Sequence, residues 1–171
     1  MSEINSCVAI YDLHRNLEDS LGALRSQGSD LQNVSVVGKG GYSRRDPFAF
    51  VASAGRVRFH GEQGEFWNRV YKVLGSAGCY WIHGYGPFAV AGLMVNVLSA
   101  RPDQQVITGP LRKLGMAFYA IGVSGDSALR YETVVGQGRL LLIVQGGRDE
   151  VELASETIAT TESVEMAVHA A

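Results

Sequence analysis

The chain has 171 residues, 46% of them hydrophobic, which is enough to bury one core and is the usual size of a single domain. Its formal net charge of −2 excludes an overall electrostatic pull toward nucleic acid or anionic lipid and leaves only local patches. The two cysteines stand in no paired spacing, which excludes a disulfide framework. The start, with Glu3 and Asn5 before a short apolar stretch, lacks the form of a secretory leader, so a reducing cytoplasm is expected.

In chain order, Cys7 to Tyr11 (CVAIY) is an apolar run of strand length, followed by Asp12 and Asn16 as candidate helix caps. Leu13, Leu17, Leu21 and Leu24 recur at helical spacing and predict a core-facing stripe, and Gly28 can close that helix in the left-handed conformation. Asp30 to Asn33 leads into a second strand, Val34 to Val37, and this β-α-β order predicts two parallel strands. PFAFVASAGRVRFHG predicts a β-hairpin turning around Ser53 to Gly55, with Arg56 and Arg58 on one side and Val57 and Phe59 on the other.

Val73 to Ala100 carries no charged residue. His83-Gly84-Tyr85-Gly86-Pro87 divides it into two legs, each shorter than the ~20 residues of a spanning helix, and Pro87 suits a first helical turn. The expectation is therefore an apolar helical hairpin at about 62–100, whose small residues Gly75, Ser76, Ala77, Gly78, Ala89, Ala91 and Gly92 let backbones approach closely. Beyond it, Leu111, Leu114, Phe118 and Ile121 predict a helix opened by Gly109-Pro110 and ended by Gly122. Ser124-Gly125-Asp126 caps a short helix through Val135, Leu140 to Val144 (LLLIV) is a strand, and a last helix turns Val151, Leu153 or Ala154, and Ile158 inward. Residues 160–171 are expected as an acidic tail, either disordered or docked on a neighbour.

Together these elements predict one α+β domain over 1–171: a small β-α-β-based sheet, ferredoxin-like in character, with a β-hairpin and the inserted apolar helical hairpin. VAIYDLHRNLEDSLGAL and LLIVQGGRDEVELASETI repeat the order strand, polar turn, acidic helix. The middle is locally basic, with Lys39, Arg44, Arg45, Arg56, Arg58, Arg69 and Lys72. Asp149, Glu150, Glu152, Glu156, Glu162 and Glu165 make the end acidic, so one copy's end can attract another copy's middle.

Over residues 6–158 the chain resembles the bacterial heat-induced general stress protein-like domains of uncharacterised function. The resemblance is carried by VAIYDLHRNLEDSLGALRSQG and VSVVGKG, by FHGEQGEFW and YGPFAVAGL, and by LGMAFYAIGVSGDSALRYE followed by RLLLIVQGG. It implies stress association and an α+β fold with a central hydrophobic insert, and it supplies no catalytic residues. Arg69, Lys72, His83 and Asn96 make this insert more polar than the resemblance implies for the membrane-like members of that family.

Sites of chemistry are sparse. His60, Glu62 and Glu65 lie close enough in sequence to meet at a helix start as weak metal ligands, while His14, His83, Cys7 and Cys79 show no ligand spacing. Gly38-Lys39-Gly40-Gly41 lacks the full phosphate-loop pattern and reads as a basic loop, and Arg44, Arg45, Arg56 and Arg58 near Tyr42, Phe48 and Phe50 make one small patch, a weak signal for nucleic acid. No serine or cysteine sits in a nucleophile motif, so no catalytic residue and no cofactor is expected.

The leading expectation is a non-enzymatic, stress-linked cytoplasmic protein that forms a homo-oligomer through the segment from about Phe66 to Ala100. The contacts expected are Phe66, Val73, Gly75, Gly78, Tyr80, Trp81, Pro87, Phe88, Gly92 and Met94. The alternatives are a peripheral membrane protein that places Trp67, Tyr80, Trp81 and Tyr85 near lipid headgroups, and a metal- or small-ligand-binding module.

Overall fold

Two apolar strands from distant parts of the chain lie side by side in a six-stranded sheet. The structure, a computed structural model, describes residues 4–39, 49–51, 57–61, 63–82, 86–99 and 113–170. The chain forms β1 (Asn5–Tyr11), α1 (His14–Gln27), a 3-10 turn at Leu31–Asn33, β2 (Val34–Lys39), the short pair β3 (Ala49–Val51) and β4 (Val57–Phe59), and α2 (Gly64–Leu74). It continues with β5 (Ala77–Ile82), β6 (Gly86–Gly92), α3 (Met94–Ser99), α4 (Lys113–Ala120), α5 (Gly125–Gly136), β7 (Leu140–Gly146), α6 (Arg148–Ala159) and β8 (Glu165–His169). The main sheet has the order β5-β6-β2-β7-β1-β8, every neighbouring pair is antiparallel, and β3 and β4 pair apart from it, so the fold is α+β.

CVAIY and LLLIV are unbroken apolar runs because helices cover both faces of the strands they form. On one face Cys7, Ala9, Tyr11, Leu140, Leu142 and Val144 pack beneath α1, α2 and α6; on the other, Val8, Ile10, Leu141 and Ile143 pack beneath α3, α4 and α5. β1 and β2 do point the same way, but β7 stands between them, antiparallel to both. The two segments with repeated strand-turn-helix order are thus β1-α1 and β7-α6, whose strands lie side by side in the sheet.

Most helix ends follow their local signals. Gly28 closes α1 at φ +92, with its N–H on the Arg25 and Leu24 carbonyls, and Ser124 caps α5 by accepting from the Ser127 N–H. Leu114, Phe118 and Ile121 face the core as expected, while Leu111 lies outside the described residues. The start of α1 differs from expectation: Leu13 occupies the cap position, is half exposed, and leaves the inward stripe to Leu17, Leu21 and Leu24. Asp12 turns away to meet Arg139 at 3.0 Å. β3 and β4 pair antiparallel with Val51 opposite Val57, while the turn expected around Ser53 to Gly55 lies outside the described residues; Asn68 of α2 grips β4 through the Phe59 N–H and C=O, each at 3.0 Å.

The largest correction concerns the apolar insert, which is a β-hairpin between two helices and not a helical hairpin. Its legs are β5 and β6, and β6 lies inside the sheet, paired to β5 on one side and β2 on the other. Phe88 and Val90 fill one face of β6 and Ala89 and Ala91 the other, where their small side chains admit the α2 residues Phe66, Trp67 and Val70. An uncharged run of this length is compatible with either structure, and its small residues serve strand-to-helix packing here. Gly92 shows the constraint most sharply: φ is +88, and a Cβ there would stand 2.0 Å from the Val34 carbonyl oxygen. The expected acidic tail differs too, since residues 165–169 form β8 against β1.

Candidate functional site

β5 ends the sheet, and no described residue pairs with its outer edge. Which backbone groups face outward follows from the ladder. Gly92 N–H donates to the Ser76 carbonyl at 2.9 Å, and the register places Val90 opposite Gly78 and Phe88 opposite Tyr80 as the next pairs that exchange hydrogen bonds. The alternate residues of β6 turn toward β2, as the bond from Leu93 N–H to the Val34 carbonyl at 3.2 Å demonstrates. Pro87, which has no N–H, stands opposite Trp81 where no such bond to β5 is required. Ala77, Cys79 and Trp81 therefore point their backbone N–H and C=O groups away from β6, toward an edge on which no described residue pairs.

The side chains of this edge are uncharged. Tyr80 stacks on Phe88 with ring centroids 5.4 Å apart, and Ala77 packs into the core under α2. Cys79 lies at the surface as a free thiol, and partial desolvation pushes it up to about 11, so it is protonated and unreactive near neutral pH.

The ten residues expected at a self-association surface divide by depth. Phe66, Phe88, Gly92 and Met94 are buried within the chain and present no surface to a partner, because they fill the core between the sheet and its helices. Gly75 closes α2 at φ +84, and Val73, Gly78, Tyr80 and Pro87 are half-buried. The backbone of Trp81 belongs to the open edge, and its side chain is outside the described residues. Trp67, expected near lipid headgroups, is fully buried, with an indole N–H that has no partner among the described residues; Tyr85 lies outside them. Among the described residues no helix is long and apolar enough to cross a membrane.

The opposite edge, β8, is held by polar side chains from α5. Arg130 forms an ion pair with Glu165, and the Tyr131 hydroxyl lies 2.7 Å from His169 Nε2. Burial raises Tyr131 to about 12 and lowers His169, so both are neutral near pH 7. Deeper on that face, the buried Glu132 carboxylate accepts from the Gly115 N–H at 2.9 Å and so anchors the first turn of α4. None of these contacts was legible as a site in the sequence, because each depends on the register of β8 or the packing of α4.

A polar cleft of about 450 Å³ opens between the starts of α1 and α2, lined by His14, Arg15, Glu18, Asp19, Gln63, Glu65, Phe66 and Arg69. Glu18 and Arg69 bridge it at 2.6 Å, which consumes one of the basic residues expected to attract another copy. His14 sits edge-on to Phe66 with centroids 4.6 Å apart, and burial lowers its pKa. Its Nε2 and the Gln63 Oε1 are both enclosed without a geometrically sound hydrogen bond.

The remaining sequence candidates are placed as follows. Glu62 lies outside the described residues, so the expected His60, Glu62 and Glu65 group is not assembled on view; among the described residues no cluster of three His, Cys, Asp or Glu side chains forms. Gly38 is core packing: a Cβ there would meet Leu140 at 2.5 Å and Trp67 at 2.7 Å. Lys39 donates to the Gly136 carbonyl at 3.1 Å at the end of α5, where a phosphate-binding lysine would be free to reach out. Arg44, Arg45, Arg56, Tyr42 and Phe48 lie outside the described residues, as does the side chain of Phe50, and Arg58 is exposed. No family model, curated protein or solved structure matches the chain.

Proposed function

We propose that this chain is a non-enzymatic protein that associates with copies of itself through the outer edge of β5. The observation that carries the reading is that edge itself: a six-residue strand without a charged side chain, its outward backbone groups unmatched by any described strand. Unpaired edges are templates for another chain, and proteins that stay apart blunt them with charge, proline or a bulge. The expectation of self-association through the insert is kept, and its physical basis moves from greasy helix faces to strand pairing.

Within this reading, β8-β1-β7-β2 with α1 and α6 on one face is a ferredoxin-like unit, and residues 40–139 are its insert. Support comes from the strand order and from the two crossovers, β1-α1-β2 and β7-α6-β8, packed side by side. The link to heat-induced stress proteins rests on the sequence blocks alone, and the free thiols Cys7 and Cys79 suit a reducing cytoplasm.

Native mass measured over a dilution series tests the proposal. Masses above one chain that dissociate on dilution are expected in the absence of detergent; a single-chain mass at every concentration would defeat it.

A further inference from the structure

We infer that β5 pairs antiparallel with β5 of a second copy about a two-fold axis at Cys79, so that one sheet runs through both chains and assembly stops at two. This rests on the self-association proposed above and adds its register and its stoichiometry. The outward groups belong to Ala77, Cys79 and Trp81, three alternate residues with Cys79 in the middle. Turned about Cys79, Ala77 of one copy meets Trp81 of the other, Cys79 meets Cys79, and all three residues exchange both N–H···O=C bonds. Any other two-fold register within β5 leaves at least one of the three unmatched. The centre is also open to close approach, since Cys79 is at the surface.

Charge selects this edge over its counterpart. β5 brings no charged residue to the contact, so two identical strands meet without like charges opposed. At β8 the same arrangement would bring the Arg130–Glu165 ion pair, with the acidic Glu162 just before the strand, toward the same charged groups of the second copy. A chain with one edge fit for pairing makes an isologous contact, and that contact closes at two copies.

Cross-linking at single positions reads the register. A hydrogen-bonded antiparallel pair holds its Cα atoms about 5.5 Å apart, inside the span a disulfide requires. Diamide takes two electrons and two protons from the two thiols and leaves the S–S bond and the reduced hydrazine. Treated with diamide at alkaline pH, the full chain should form a disulfide-linked dimer through Cys79, while Cys7 stays unmodified because it is buried. With Cys79→Ser, an added Ala77→Cys should not link to itself, since its two copies lie on opposite sides of the axis.

Sedimentation then separates the register from the association. Cys79→Pro should weaken dimerisation about tenfold or more with the melting transition retained, since the outward N–H is not part of the ladder to β6. Cys79→Lys, which charges the edge while keeping its N–H, should weaken it as well. A dimer that fails to link at Cys79, or that links faster at Ala77→Cys, would overturn the register while self-association stands. Species larger than two would overturn the closure, and a chain that never dimerises would remove both.

Discussion

The two ends of the sheet are finished by different means. β8 is fastened by side chains reaching across from α5, an ion pair to Glu165 and a tyrosine on His169, and it carries charge at its first residue. β5 is fastened by its backbone ladder to β6 and by the stack of Tyr80 on Phe88, and it carries none. The contrast teaches that burial alone does not tell the two edges apart. Both strands are partly covered, and the separation comes from where charge sits relative to the outward N–H and C=O groups.

The largest effect should follow from disrupting the β5 end. Gly92→Ala places a Cβ against the Val34 carbonyl in a left-handed backbone, so β6 must shift away from β2. A loss of about 3 kcal/mol is expected, read in a denaturant titration, with the dimer lost along with the stability. A neutral result would mean that β6 is not seated beside β2 as described.

A smaller effect belongs to the β8 end. Tyr131→Phe keeps the ring against Phe118 and removes the hydroxyl that meets His169, at a cost of about 1 kcal/mol. Amide exchange should quicken in β8 and stay unchanged in β5. Equal loosening at both ends would contradict the independence of the two edges.

Acidification should act most mildly. His14 and His169 both have pKa values lowered from 6.5 by burial, so the unfolded chain takes up their protons more readily. Their contribution is complete above that ordinary value and is lost as pH falls through the depressed ones, so thermal melts should drop as the pH is taken below 6.5. Glu165, held below 4.5 first by its hydrogen bond to Arg130, adds a loss of the same sign only at lower pH. Replacing both histidines with glutamine should flatten the upper part of the curve, and an unchanged slope would sink this assignment.

Much of the fold was legible because several elements carry local signals strong enough to stand alone. The leucine stripe and Gly28 mark α1, Ser124 marks the start of α5, and CVAIY and LLLIV have the length and continuity of doubly covered strands. The insert was not, because AGCYWI and GPFAVAG are short, uncharged and rich in small residues, which suits a close helix pair as well as strands under α2. β8 escapes a local reading because EMAVH is brief and its partner is β1, at the far end of the sequence. The candidate surface was legible as a segment, with Gly78, Tyr80 and Trp81 in it, but not as an edge. Phe88 and Met94, which share the same greasiness, belong to the core.

Residue-resolved amide exchange of β5, recorded at high and low protein concentration, tests the central claim most directly. Gly78 and Tyr80, bonded inward to β6, should be protected at both concentrations, while Ala77, Cys79 and Trp81 should be protected only where copies are paired. Rapid exchange at Gly78 and Tyr80 would contradict the placement of the hairpin in the sheet. Exchange at Cys79 that does not change with concentration would contradict its edge as the meeting place of two copies.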